Sequence, residues 1–428
     1  MFTTVSTAPT VAIETHGCKL NQADSLQLAT QFESAGCTVV DDESKPDVYI
    51  VNTCTVTHVA DRKARQALRS ARRRNPTATI VATGCYPERA IEDLNAMGEV
   101  DLVLGNVDKQ RLVQDVLSLG AANWTQTSNP EPLAAVGRTR SMVKIQEGCD
   151  QVCAYCIVPK VRGREVSIPP DEIISLINRH VAKGAKEVVL TGTQLGTYGF
   201  EYDQKTNLSA LIRHILRDGE MSRLRVSSLQ PQEIDCELLQ LWEDSRLAPH
   251  FHIPLQSGSD QILHSMRRRY TSKLYSKVLR QIREAVPDAS ITTDVIVGFP
   301  GETEERFQET HSLCEASEFA SIHVFPYSTR PGTSAAHLPL QVDSVAKARR
   351  VQELLKLAED HSRKFRTKML DSVKQVLWER KRSDGTWVGL TDNYVKVGVS
   401  ADKDLQNQFQ YAHLTKIEND LVIGEIKN

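Results

Sequence analysis

The sequence predicts a multidomain α/β protein: an N-terminal parallel α/β sheet domain, a partial (βα)6 barrel, and a small C-terminal all-β barrel. Three observations carry this. Short β-rich runs alternate with amphipathic helical patterns through residues 11–120. The same strand–helix unit recurs six times between residues 138 and 365. From residue 367 onward the period switches to short strands with tight turns.

In the first region the expected strands are Val11–Thr15, Asp47–Val51, Thr79–Thr83 and Asp101–Leu104, with helices after Asn21, Val56 and Pro87 and a last one ending at Leu119. Strands alternating with helices imply a parallel sheet covered on both faces. Asn123–Gly137 loses periodicity and reads as a linker. The second region offers strands at Met142–Gln146, Glu187–Leu190, Leu224–Ser228, His250–Leu255, Ser290–Val297 and Ser321–Phe325. Six units are too few for a closed eight-stranded barrel, and in such parallel folds the chemistry gathers at the carboxyl ends of the strands. A long polar helix, about 343–370, leads to the runs SVKQVLWER, TWVGLTDN, YVKVGVS and DLVIGEI, which read as strands of a small barrel. The expected domains are 9–121, 135–366 and 367–428.

Lys+Arg 52 against Asp+Glu 54 gives a net charge of -2. The molecule is not a polycation, so any nucleic-acid contact must come from local patches. The first ten residues hold no long apolar run, and no stretch nears the roughly 20 apolar residues of a membrane span. A cytoplasmic protein with no membrane partner is expected. Nine cysteines in a reducing compartment point to metal or redox chemistry rather than disulfides.

Cys149, Cys153 and Cys156 stand in KIQEGCDQVCAYCIVPKVRGR, just after the first strand of the second region. Three thiolates on one tight loop suit three irons of a 4Fe–4S cube, and the missing fourth cysteine leaves one iron open. A structural zinc site is the competing reading, but three cysteines leave it incomplete. The full CxxxCxxC pattern, with Tyr155 before Cys156, resembles the radical SAM superfamily, in which the open iron chelates the methionine moiety of S-adenosylmethionine (SAM).

Cys18, Cys54 and Cys85 each follow a predicted strand of the first region, at intervals of 36 and 31 residues, about one βαβ unit apiece. All three thiols should emerge at one edge of one sheet, where ligands bind in open α/β folds. Gly17 and Gly84 permit the close backbone approach a cluster needs. Three unrelated buried cysteines would sit inside strands instead. Cys37, Cys236 and Cys314 have no such placement and read as structural.

THGCKLNQADS, NTCTVTHVADRKAR, ATGCYPE and EGCDQVCAYCIVPKVRGRE together resemble the methylthiotransferases over essentially the whole chain. The resemblance implies a radical SAM core, a TRAM-like terminal barrel and two 4Fe–4S clusters. The cluster on Cys149, Cys153 and Cys156 would make the radical. An auxiliary cluster on Cys18, Cys54 and Cys85 would supply sulfur. Three substrates occur in that family: N6-isopentenyladenosine or N6-threonylcarbamoyladenosine at tRNA position 37, and an aspartate of a ribosomal protein. The motifs here look most like the threonylcarbamoyladenosine branch, and Lys19 stands where the ribosomal-protein branch has Pro. A non-catalytic, metal-containing RNA-binding protein is the reading from another class, and the second cysteine triad speaks against it.

Strand ends supply candidate SAM contacts: Gly192 and Gln194, Arg225 and Ser227, Gln256, and Gly298 and Gly301. No side chain is assigned as acid or base. For RNA, Arg62, Arg65, Arg69 and Arg72 recur at helical spacing opposite an apolar face, in a stretch where seven cations meet only Asp61. In the terminal barrel Lys+Arg number nine and Asp+Glu nine. Lys374, Arg380, Lys381, Arg382 and Trp378 are its RNA candidates, on the strength of the TRAM resemblance.

Overall fold

The structure is a computed structural model and describes residues 8–120, 139–203 and 206–427. The expected linker Asn123–Gly137, with the boundaries at 121 and 135, lies outside the described residues. The chain divides into two compact units. The N-terminal residues with Glu147–Gln151 and Cys156–Glu165 form the first, and the rest forms the second.

The first unit contains β1 (Thr10–Thr15), α1 (Lys19–Ser34), β2 (Thr38–Val39), β3 (Val48–Thr53), α2 (His58–Arg74), β4 (Thr79–Gly84), α3 (Cys85–Asn95), β5 (Leu102–Leu104), α4 (Leu112–Gly120) and α5 (Val158–Arg162). Its five strands order as β2-β1-β3-β4-β5 and pair in parallel throughout. β3 is buried at all six positions because both faces are covered. On one face Tyr49, Val51, Ile80 and Ala82 pack against Ala64, Ala67, Leu68 and Ala71 of α2. On the other, Val48, Ile50 and Val81 meet Leu28 and Phe32 of α1 and Leu112 and Val116 of α4. The short β2 was not expected from the sequence. It extends the sheet beyond β1.

The second unit begins with β6 (Arg140–Lys144). β7 (Gln146–Glu147) and β8 (Val166–Ser167) form a separate two-stranded pair. Then follow α6 (Pro170–Ala182), β9 (Glu187–Thr191), α7 (Leu208–Asp218), β10 (Arg223–Val226), α8 (Cys236–Gln240), β11 (His250–His252), α9 (Asp260–Ser265), α10 (Ser272–Ala285), β12 (Ser290–Val297), α11 (Glu304–Ser317), β13 (Ser321–Pro326) and α12 (Ser344–Lys368). Strands β6, β9 and β10 form one parallel sheet, and β11, β12 and β13 another. Single bridges, Leu224 to Leu247 and Ser228 to His252, join them into one open arc. This is the six-strand partial barrel read from the sequence.

The last part closes into a barrel, β14 (Val373–Lys381), β15 (Thr386–Thr391), β16 (Lys396–Ser400), β17 (Phe409–Glu418) and β18 (Leu421–Ile426), ordered β14-β15-β16-β18-β17. The sequence reading missed β17. The proposed boundary at 366/367 falls inside the last turn of α12. The barrel packs on the amino ends of the arc strands. Arg140 pairs with Glu379 at 2.8 Å, and the His250 and Tyr394 rings stack at 4.7 Å. Glu187 is fully buried there between Arg225, 2.8 Å away, and Arg223, 3.4 Å away. The carboxyl ends of the strands are at the opposite end of the arc.

Candidate functional site

Cys18, Cys54 and Cys85 stand at the carboxyl ends of β1, β3 and β4, three adjacent strands. Cys18 caps the amino end of α1, and Cys85 opens α3. Cys54 is buried. Burial, joined by the negative charge of Cys85 and Cys18, pushes its thiol up to about 11. Such a trio calls for a cation, because a bound metal holds sulfur as thiolate. Gly17 has φ +104, and a Cβ there would lie 2.6 Å from Cys54 Cβ and 3.1 Å from its sulfur. Only glycine leaves this space open. The observed donors and cradle fit an iron–sulfur cluster.

Polar residues that the sequence reading missed hold these loops. Asn21 donates to His16 O at 2.8 Å and Thr53 O at 2.9 Å, tying the β1 loop to the β3 loop. Asn106 donates to Val161 O at 2.6 Å and reaches Cys85 Sγ at 3.6 Å. Buried Arg162 donates to Asn21 Oδ1 at 2.6 Å and Asp24 at 3.0 Å, and Lys109 joins Asp24 at 2.6 Å. Burial works against the Arg162 charge, but Cys85, Asp24 and Glu147 outweigh it and hold the guanidinium firmly protonated. No local pattern marks Arg162, whose partner Asn21 lies 141 residues away.

The second cysteine triad occupies one eight-residue stretch, so chain connectivity keeps it together. In the first unit, Cys149 is buried, its sulfur accepts from Gln151 N at 3.4 Å, and its own N–H donates to Gly163 O. Cys156 belongs to the same unit. In the second unit, Cys153 accepts from Arg268 Nη1 at 3.3 Å. Its neighbour Ala154 bonds Met266 O and accepts from Ala335 N. Tyr155, Phe299 and Tyr327 pack edge to face beneath this turn. Arg268 also bonds Gln230 and Tyr270, and the nearby Tyr155, Tyr270 and Cys153 more than offset its burial and stabilise its charge.

The strand-end candidates separate. Arg225 is 1% exposed, with its guanidinium committed to Glu187 and to Asp392 O at the amino end of the arc. The expected SAM contact there is corrected. Gln194 is buried and bound to Gln146, Gln230 and Glu233, so it braces its own loop. A Cβ at Gly192 would come within 2.9 Å of Gln146 O, which is a packing reason for that glycine. Gly298 has φ +73 and donates to Glu302, and Gly301 has φ +84 and donates to Leu340 O. Ser227 Oγ is buried without a protein partner, and half-buried Gln256 holds φ 63 at the β11 end. These two stay available to a ligand.

The RNA candidates divide as well. Arg62 is exposed, as are Lys63 and Arg73, and Arg69 stands 3.7 Å from Glu99. Arg72 is turned inward to Asp101, Pro76 O and Ala78 O, and Arg65 to the Tyr86 hydroxyl. On the barrel, the RNA candidate Lys374 pairs with Asp288 at 2.9 Å, so its amine is already engaged within the protein. Arg380 is exposed, Lys381 lies over Trp387, and Arg382 is 3.9 Å from Asp420. Trp378 is wholly buried in the barrel core and cannot stack on a base.

Residues 10–105 match the family described as Uncharacterized protein family UPF0004, and residues 143–314 match the Radical SAM superfamily. Threonylcarbamoyladenosine tRNA methylthiotransferase MtaB of Bacillus subtilis is 37% identical over 92% of this chain and 91% of its own. The protein of the same name in Thermotoga maritima is 37% identical over 90% of each. A tRNA-2-methylthio-N(6)-dimethylallyladenosine synthase of Endomicrobium trichonymphae is 33% identical over 97% and 99%. Among solved structures, the radical S-adenosylmethionine methyltransferase TsrM of Kitasatospora setae superposes with a TM-score of 0.57 over 77% of each chain. At 15% identity it speaks to the fold alone.

Proposed function

Because this chain belongs to the radical SAM methylthiotransferases, a family that uses SAM and a 4Fe–4S cluster, we propose that it methylthiolates C2 of N6-threonylcarbamoyladenosine at tRNA position 37. The observation that carries the reading is the placement of Cys18, Cys54 and Cys85 at three adjacent strand ends around Gly17. It supports a second, auxiliary cluster, the feature that separates sulfur insertion from radical chemistry in general. When bound, the SAM cluster supplies a carbon radical able to take hydrogen from an unactivated C–H bond, which no side-chain acid or base can do.

The chain's own residues have definite parts in this proposal. Cys149, Cys153 and Cys156 hold three irons, and Arg268 fixes the Cys153 sulfur. Ser227 and Gln256 contact SAM. Asn21, Asn106 and Arg162 keep the auxiliary loops in place. Arg62 and Arg69 on α2, with Arg380, Lys381 and Arg382 on the barrel, meet tRNA phosphates. Among the described residues no helix is long and apolar enough to cross a membrane, and a tRNA substrate favours the cytoplasm.

Two measurements test the reading. Anaerobically reconstituted protein should hold about eight irons, and Cys54→Ala about four. Nucleoside mass spectrometry of tRNA from a deletion strain should show loss of 2-methylthio-N6-threonylcarbamoyladenosine. The likeness to dimethylallyladenosine synthases favours a second reading, the isopentenyl substrate. If the isopentenyl product vanishes while the threonylcarbamoyl product persists, that reading replaces the first.

A further inference from the structure

The inner face of the arc carries a group of side chains that no step above uses. Residues of β12 alternate between two faces. Ile291, Val295 and Val297 join the apolar core under the helices, so Thr292, Asp294 and Ile296 turn to the opposite, inner face. In the sheet register His252 lies beside Thr292, and Asp294 beside His323. His252 Nε2 comes 3.3 Å from Asp294 Oδ2, and His323 Nδ1 comes 3.1 Å from Asp294 Oδ1. The three ligand atoms all lie within 4.8 Å of one another, and among the described residues this is the one such trio of His, Cys, Asp or Glu.

The donor set is two imidazoles and a carboxylate, which suits divalent transition metals with open positions. Ligand atoms at about 2.0–2.2 Å from a shared ion sit roughly 3–3.5 Å apart, and each imidazole stands in that range from one of the two Asp294 oxygens, at 3.3 Å from Oδ2 and 3.1 Å from Oδ1. The remaining ring nitrogen of His252, Nδ1, lies 2.9 Å from Thr292 Oγ1. A metal-bound histidine needs such a partner to fix its tautomer and orientation. The two imidazoles are the side-chain partners of the Asp294 carboxylate, and no Lys or Arg pairs with it among the described residues. Side-chain exposure rises from 15% at His252 through 27% at Asp294 to 54% at His323, so one side of the trio is open.

We propose that His252, Asp294 and His323 form a binding site for one divalent transition-metal ion of the zinc type, with its open positions facing the inside of the arc. No cysteine contributes, so the site is distinct from both iron–sulfur positions. An ion held there would offer its free positions to oxygen donors of a molecule entering the arc. The inference does not depend on which nucleoside the enzyme modifies.

The test uses the anaerobic holoenzyme with its cysteines occupied by iron. It is incubated with zinc chloride, desalted and analysed for zinc and iron. One zinc per chain is expected beyond the iron, with an absorption-edge spectrum showing only nitrogen and oxygen neighbours. Asp294→Asn and His323→Gln should each lower zinc affinity at least tenfold with iron unchanged. Cys236→Ser, which removes an exposed thiol, should retain the zinc. Should Asp294→Asn fail to fold, His323→Gln decides the matter, because that side chain is half exposed. Equal zinc uptake by His323→Gln and the unsubstituted protein, no uptake by either, or sulfur around the zinc overturns the proposal.

Discussion

Replacing Glu187 with Gln should loosen the terminal barrel from the arc. The Glu187 carboxylate is wholly buried and accepts from Arg225 at 2.8 and 3.2 Å and from Arg223 at 3.4 Å. Both guanidiniums reach on into the barrel. Arg225 donates to Asp392 O at 2.9 Å and lies over Tyr394, and Arg223 donates to Gln375 and lies over Phe409. The amide keeps the shape and removes the charge, leaving two guanidiniums in the seam without their buried counter-ion. Breaking a buried pair from one side costs about 3–5 kcal/mol, against about 0–1 for an exposed pair. At about 1.4 kcal/mol per decade, local opening should become on the order of 100- to 4,000-fold more frequent. A multidomain chain has no single unfolding free energy, so the readout is hydrogen exchange of peptides from β14 to β16, with core peptides as reference. If those peptides lose less than about tenfold in protection, the seam is not held by this charge. Burial tends to raise the carboxyl, but the guanidiniums of Arg225 and Arg223 prevail and hold it below the usual range. Its contribution is therefore full above the unfolded value of about 4.3 and is lost only as pH falls through the lower folded one. The barrel should stay docked at pH 5 and loosen in stronger acid.

Further predictions follow from other sites. Gly17→Ala should leave about four of roughly eight irons and preserve reductive SAM cleavage, because its Cβ would collide with Cys54 and leave the other triad alone. Iron analysis with a cleavage assay checks this, and full iron content would contradict it. Arg268→Lys keeps the charge but loses the fork that reaches Cys153, Gln230 and Tyr270. SAM cleavage should slow at least about tenfold at unchanged iron content, and an unchanged rate would remove Arg268 from the site. Arg62→Ala should weaken tRNA binding and reduce the salt slope by about one. Arg72→Ala should instead lower the melting temperature, since its guanidinium serves Asp101 and two carbonyls. Equal losses of tRNA affinity in the two variants would refute that division.

Period and punctuation made much of this architecture readable. β-branched runs ending in THGC, NTC and TGC placed three cysteines at strand tips, and β12 was bounded correctly at Ser290–Val297. The roles of polar side chains were not readable, because each depends on a partner far along the chain. Arg225 looked like a strand-end ligand contact until Glu187, 38 residues earlier, took it. Lys374 stood among the RNA candidates, while its partner Asp288 lies 86 residues away. Nothing local marks Arg268, because its partner Cys153 is 115 residues distant. His252, Asp294 and His323 fall on three strands and share no sequence motif. Their alignment exists only in the register of the sheet. Two-residue β2 is too short for any periodic signal.

The seam also alters how the protein looks from a distance. Arg223 and Arg225 count toward the formal charge of -2, yet both lie inside, with one carboxylate between them. That seam keeps one net positive charge away from solvent. A polyanion approaching in dilute salt is drawn where exposed cations such as Arg62, Lys63 and Arg73 crowd together. Encounters would then be filtered by orientation before any base is touched, and added salt would blur that filter as well as weaken the grip.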